Sequence, residues 1–349
     1  MPPETETGTL TLVVCTYCRP LQVKRLLVAL QCQSLMPDEV LLVDGSPDDE
    51  TERIASDPAV RGAIPSLLYH RVPPEHRGLT RQRNYGIEHA RGSIVAFLDD
   101  DTMPEPDYFS AIASCFRRHP EAAGVGGYIT NEVAWRHAGE HCSNKLSIFC
   151  WRGWERREDY RWRVRRIMGL AGSYAPGWVP PSGHGRPVGF LPPDGQDYQV
   201  EFFMGGVSAW RREVLQRVRF SHFFEGYGLY EDLDFCLRVA RHQPLYLCTS
   251  ARIEHYHAQT SRPGAHRYGV MVVRNGWYVW RQRWPNPLAP DRLRWWAITL
   301  LLAVSRLFDA ARGPHRRQAL MEALGRFRGM FSVLLRAPRP AYSHDANEN

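Results

Sequence analysis

Short apolar runs recur along the first hundred residues at near-regular intervals, each followed by a stretch with helical spacing. TLVVC (11–15) is β-branched and apolar and predicts a strand. Residues 20–33 predict a helix, with Pro20 at its start and Leu26, Leu27 and Leu30 on one side. VLLVD (40–44), SLLYHRV (66–72) and SIVAFL (93–98) predict three more strands. A helix over 80–92 precedes the last of these, with Thr80 as its N-cap and Gly92 as its C-cap. This alternation means βαβ units and an α/β fold built on a doubly wound, mostly parallel sheet. Ligands of such sheets sit beyond the carboxyl ends of the strands. Cys15-Thr16, Asp44 and Asp99 to Asp101 all fall at those ends and are expected to converge on one crevice.

The pattern changes at 135–200, which carries five Trp, many Arg and the Pro/Gly-rich stretch 175–196. A short basic helix and a long loop are expected there, and a loop of that length reads as a lid over the site. Regular patterning returns over 200–218 as strand, Gly turn and helix. A helix within 223–242 places Leu233, Leu237 and Ala240 on one face and begins with Glu231 and Asp232, where a helix dipole favours carboxylates. Residues 244–257 predict a strand ending in His255 and His257.

Beyond 263 the chain reads as helical and basic. The apolar run 295–304 is too short to span a bilayer, which takes ~20 residues. Over 318–335, Leu320, Leu324, Phe327, Phe331 and Leu335 form one stripe with Arg317, Arg326 and Arg328 off it, although Gly325 and Gly329 weaken the helix. Packing on the catalytic core and lying on an anionic membrane both fit this stripe, and the Arg excess tips the balance to the membrane.

The net charge of +7 is uneven. Seven Arg stand against one Glu between 311 and 340, and seven Arg against three acidic residues between 151 and 167. Such clusters point to anionic partners, but no nucleic-acid motif is present and an acidic crevice opposes one. Cys15 and Cys18 have no second pair at zinc-ligand spacing, and the eight scattered cysteines suit a reduced, cytoplasmic chain. The polar, acidic start of the chain shows no signal peptide.

Three consecutive aspartates behind a buried strand repel one another, and a bound cation would offset that cost. Asp99 and Asp101 lie two apart, so a pleat sends both side chains the same way. Their hard oxygens suit Mg²⁺ or Mn²⁺, and an imidazole from His255 or His257 favours Mn²⁺. Glu231 and Asp232 are candidate general bases. Taken singly, each has a plainer reading: a solvated turn for the aspartates, a strand-end histidine for His255.

The ordered set LVVCTYCRP (12–20), VLLVDGSPDDET (40–51), RQRNYGIEHARGSIVAFLDDDTMPEPDYF (81–109), FFMGGVSAWRREVL (202–215), YEDLDFCLRVAR (230–241) and IEHYHAQTS (253–261) resembles the inverting glycosyltransferases of family two, which have the nucleotide-sugar-binding GT-A fold. The likeness covers about residues 9–260. It implies that Thr16 and Tyr17 line the nucleotide pocket, that Asp44 bonds the base, and that Arg83 lies near the donor. It implies further that Asp99 and Asp101 hold a divalent cation with His255, or next to it His257, as third ligand, that Asp100 touches the ribose, and that Gly205 and Gly206 lie beside the sugar and acceptor. Asp232 matches the catalytic base, with Glu231 behind it.

The resemblance thus implies a metal-dependent inverting transfer from a nucleotide-diphospho-sugar, a UDP-sugar by default, to a hydroxyl of a glycan or lipid-linked glycan of a cell-surface polysaccharide. The alternatives are a catalytically inactive glycan-binding protein, a sugar nucleotidyltransferase and a phosphatase. The nucleotidyltransferase lacks its Gly-rich basic loop, and the phosphatase motif fails at Met103. The expected organisation is a disordered start (1–8), a GT-A domain (9–262) holding the 135–200 insert, a basic helical region (263–340) and a disordered tail (341–349). The expected location is the cytoplasm, with the inner face of the cell membrane as the surface the tail could meet.

Overall fold

The computed structural model describes residues 8–139, 142–143, 145–224, 226–257 and 263–340. The expectations for the two chain ends lie outside these residues, apart from Gly8, as does the end of the last resembling segment, 258–261.

The elements begin with β1 (Leu10–Thr16), α1 (Pro20–Leu30), β2 (Glu39–Asp44), α2 (Glu50–Ala55), α3 (Pro58–Ala63), β3 (Leu67–Arg71), α4 (Leu79–His89), β4 (Ile94–Asp99), β5 (Thr102–Pro104), α5 (Tyr108–Arg118) and β6 (Gly124–Ile129). Three short strands and a helix follow: β7 (Trp135–His137), β8 (Ile148–Trp151), β9 (Trp154–Arg157) and α6 (Tyr160–Ile167). Then come β10 (Asp197–Val200), β11 (Val207–Arg211), α7 (Arg212–Arg217), α8 (Glu231–Val239), β12 (Leu245–His255) and the long helices α9 (Ala265–Arg283), α10 (Ala289–Arg312) and α11 (Arg316–Arg336).

The chain divides into two compact units, residues 1–135 with 188–261, and residues 136–187 with 262–349. The first holds a mixed sheet ordered β10-β12-β6-β11-β4-β1-β2-β3, with β5 paired to β12. β1, β2, β3 and β4 run parallel; β1, β2 and β4 are buried on both faces and read as apolar runs, whereas β3, at the sheet edge, is covered only in part. β11 lies antiparallel between β4 and β6, and β6 runs parallel to β12. Leu12, Val14, Leu26, Leu30, Leu42, Phe109 and Ile112 belong to the core that joins the sheet to α1 and α5.

Three local expectations are corrected. α4 is capped by Gly78, at φ 110°, and Thr80 sits buried at the second position of the helix. α4 ends at His89 with Ala90 as its C-cap, and Gly92 instead lets the backbone of Thr11 approach: a Cβ there would stand 2.6 Å from the Thr11 nitrogen. In α8 the buried face is Phe235, Cys236, Leu237 and Val239, with Leu233 only partly covered.

In the second unit, β7, β9 and β8 form a small sheet, and α9 packs on α11. The Pro/Gly-rich stretch is fastened to the helices: the Trp280 indole donates to the Pro181 carbonyl at 2.8 Å and the Trp284 indole to that of Val179 at 3.1 Å. Part of the Trp/Arg mixture stacks on itself, with the Arg186 guanidinium 4.4 Å from the Phe149 ring and 4.2 Å from Trp162. Among the described residues no helix is long and apolar enough to cross a membrane.

Candidate active site

The parallel register sets the site. Thr16 pairs with Asp44, and Cys15 with Asp99, so the three strand ends lie side by side. Asp44 is wholly buried, and its carboxylate accepts from the Ser46 amide and hydroxyl and from the Tyr69 hydroxyl at 2.9 Å. Tyr17, by contrast, is exposed beside Gly45.

The three aspartates take three directions. Asp100 turns inward, accepting from the Thr16 hydroxyl at 2.7 Å and from Arg19 at 3.0 Å. Burial raises its pKa to about 6 against the pull of Arg19 and Thr16. Asp101 faces His255, whose Nε2 lies 3.1 Å from its Oδ1. Asp99 is the most open of the three side chains and accepts from Arg83 at 3.2 Å. One ligand atom each from Asp99, Asp101 and His255 lies within 4.8 Å of the others.

β12 brings the histidine there. Its last residues pair antiparallel with β5, directly after the aspartates, in the register His255 to Thr102. Asn131 clamps the backbone of His255 with bonds of 3.0 and 3.1 Å. Glu132 stands 3.5 Å from His255 Nδ1 and 3.0 Å from His257 Nε2. Burial pulls the pKa of His255 down, but Asp101, Glu132 and Asp99 outweigh it and leave it at about 10. Glu132 is held below the usual carboxylate range by His255 first and then by His257.

α8 supplies the other wall. Tyr230 precedes it at φ 69°, a left-handed conformation that bulky residues seldom adopt. Glu231 is buried in an ion pair with Arg83, which lies over the rings of Phe97 and Phe220. Burial pushes Glu231 up to about 8 in spite of Arg83. Asp232 is largely covered with part of its surface still open, and its Oδ2 accepts from the Gly205 amide at 3.3 Å. Its pKa is raised, by burial first, although the Leu233 and Gly205 amides oppose this.

Gly205 and Gly206 make these approaches feasible. A Cβ on Gly206 would fall 2.0 Å from Asp99 Oδ2, and one on Gly205 would fall 2.6 Å from Arg83 Nη1 and 2.9 Å from Asp232 Cβ. The structure therefore gathers Asp99, Asp101, His255, Arg83, Glu231, Asp232 and both glycines. It turns Asp100 and Asp44 into the protein and encloses Arg83 between two carboxylates. Sequence reasoning missed Arg19, Ser46, Tyr69, Asn131 and Glu132.

The fold and the placement of this acidic site at the strand ends define a GT-A glycosyltransferase. The fold is shared with the mannosyltransferase PcManGT of Pyrobaculum calidifontis in complex with GDP-Man and Mn²⁺ (TM-score 0.53, 15% identity, covering 95% of this chain and 88% of that one). It is shared too with GalNAc-T7 bound to UDP, GalNAc and Mn²⁺ (TM-score 0.53, 12% identity, covering 96% of this chain and 59% of that one). At these identities the likeness is one of fold.

The sequence model of Glycosyl transferase family 2 matches residues 11–219, and the chain belongs to that family. A glucosyl-dolichyl phosphate glucuronosyltransferase of Haloferax volcanii is 30% identical over 121 residues, which are 34% of this chain and 37% of that protein. The matched stretch spans about a third of the length of the curated relatives.

Proposed function

We propose that this glycosyltransferase moves a sugar from a nucleotide-diphospho-sugar to an acceptor hydroxyl with inversion, and that it depends on a divalent cation. The observation that carries this is the meeting of Asp99, Asp101 and His255 with Asp232 across two consecutive glycines.

Two carboxylates and one imidazole fit Mn²⁺ or Mg²⁺, with the imidazole favouring Mn²⁺. When bound, the cation supplies charge neutralisation for the donor diphosphate as the C1–O bond breaks. Asn131 holds the backbone of His255, and Glu132 stands beside Nδ1 of its ring, where the outer partner of a ligating histidine lies. Arg19 and Thr16 hold Asp100, and with it the turn that aims Asp99 and Asp101. Arg83 ties Asp99 to Glu231, so the β4 end and the α8 start move as one.

Asp232 is the base that takes the acceptor proton, since Glu231 is committed to Arg83. Its raised pKa makes it a stronger base than a solvated aspartate. Tyr17 is the exposed side chain for stacking on the donor base. The acceptor we propose is a glycan or lipid-linked glycan. The donor family default, a UDP-sugar, is the first to try, and GDP- and dTDP-sugars complete the panel.

The test is release of nucleoside diphosphate from that panel, with Mn²⁺, Mg²⁺ or a chelator, supplied with lipid-linked and soluble glycan acceptors. One donor should turn over only with metal, and Asp232→Asn should lower turnover by about 10²–10⁴-fold while leaving donor binding intact. Undiminished turnover in Asp232→Asn would remove it as the base.

A further inference from the structure

We propose that α10 and α11 form a docking face for an anionic lipid bilayer. In α11 the apolar stripe points to solvent: Leu324 is 46% exposed, Phe331 62% and Leu335 72%, with Leu320, Met321 and Leu334 exposed beside them. The buried face of the same helix carries the small residues Ala319, Ala323, Gly325 and Gly329, together with Val333 and the paired Glu322 and Arg326. A Cβ on Gly325 would lie 2.0 Å from the His266 carbonyl oxygen, so the glycines serve backbone contact with α9 and leave the large apolar side chains outward. α10 repeats the arrangement. Leu293, Leu300 and Leu307 are exposed at seven-residue spacing on one helix face, with Phe308 next to them. Exposed apolar stripes this long mark an interaction surface.

The charge around them selects the occupant. Between 289 and 340 there are ten Arg and three acidic residues, Asp291, Asp309 and Glu322. Asp309 and Glu322 are consumed by Arg161, Arg306 and Arg326. Arg312, Arg316, Arg317, Arg328 and Arg336 are exposed and have no acidic partner among the described residues. At the start of α11, His266, Arg267, His315, Arg316, Arg317 and Met321 line an open cavity of about 850 Å³ that contains no acidic side chain, the chemistry that suits a lipid phosphate. A second copy of the chain would set one arginine rim against another. A bilayer with anionic headgroups satisfies the stripe and the rim together.

Flotation of the full chain with phosphatidylcholine vesicles, and with vesicles of about one-third phosphatidylglycerol, tests this directly. The chain should float with the anionic vesicles only, and rising ionic strength should release it. The pairs Leu324→Glu with Phe331→Glu, and Arg317→Glu with Arg328→Glu, should each lower the bound fraction by about tenfold or more, with unchanged melting temperature. Should either pair lower the melting temperature, Arg317→Gln with Arg328→Gln gives the same reading at smaller charge change. No flotation of the full chain, or variants that float like it, would overturn the proposal. So would a dimer in light scattering that the same variants dissociate without any flotation. The readout needs no turnover, so it stands or falls apart from the proposed reaction.

Discussion

Gly206 shows how closely the site is fitted. Its missing Cβ is the space that the Asp99 carboxylate occupies, so Gly206→Ala should displace a proposed metal ligand. We expect stabilisation by donor to disappear and kcat/KM to fall by about a hundredfold, a loss typical of a reacting group misplaced by about an ångström. Equal nucleotide binding by Gly206→Ala and the wild type would contradict that reading. The acidic triplet, the glycine pair and Asp232 stand out in the sequence through the ordered set of motifs they belong to, since each residue type alone is ordinary at a strand or helix end. The separate fates of the three aspartates were not. What sends Asp100 inward is Thr16 and Arg19, more than eighty positions away in the chain, and no local pattern announces that bond.

The elements legible in the sequence are the apolar runs of β1, β2 and β4, whose burial on both faces writes itself into composition, and the half-covered edge strand β3. β6 escaped because GVGGYI lacks the bulky residues of a strand. Its glycines admit neighbouring aromatics, since Cβ atoms at Gly124, Gly126 and Gly127 would strike Trp210, Phe203 and Tyr108. With β6 unseen, Asn131 and Glu132 just beyond its end could not be placed beside His255. α11 was found with its apolar stripe correct, yet its packing face is the glycine side that seemed to weaken it.

The contact of the 175–196 stretch with α10 carries its own pH dependence. His184, at φ 54°, is mostly covered and bonded through Nε2 to Thr299 at 3.0 Å. Burial, with Arg165 and Arg326 adding, lowers its pKa from 6.5 to about 3. The unfolded chain therefore binds a proton that the folded chain refuses between those values. Stability should be full above pH 6.5 and fall by up to about 1.4 kcal/mol per pH unit below it. His184→Asn should flatten that acid limb in a series of melting curves from pH 7 to 4; an unchanged slope would show that His184 is not its source.

At the scale of the whole molecule, the sequence shows an α/β half and a basic helical end, and the structure has both. It does not show that residues 136–187 share a compact unit with 262–349, because that association joins segments with a returning strand, β10, and most of the acidic wall between them. Only three-dimensional packing, such as Trp280 and Trp284 on the 175–196 stretch, makes it visible. The charge divides likewise: ten Arg against three acidic residues in 289–340 amount to the +7 of the entire chain. The segment proposed to meet an anionic surface therefore accounts for the basic balance.

The central claim is a metal-dependent site for a nucleoside diphosphate at Asp99, Asp101 and His255. Its most direct test is the melting temperature of wild type and Asp101→Ala with UDP, GDP or dTDP, each with Mn²⁺, Mg²⁺ or EDTA. With one nucleotide at about a hundred times its Kd, the wild type should gain about 5–10 °C with metal and nothing with EDTA, and Asp101→Ala should gain nothing. Equal stabilisation in EDTA, or in Asp101→Ala, would contradict the account.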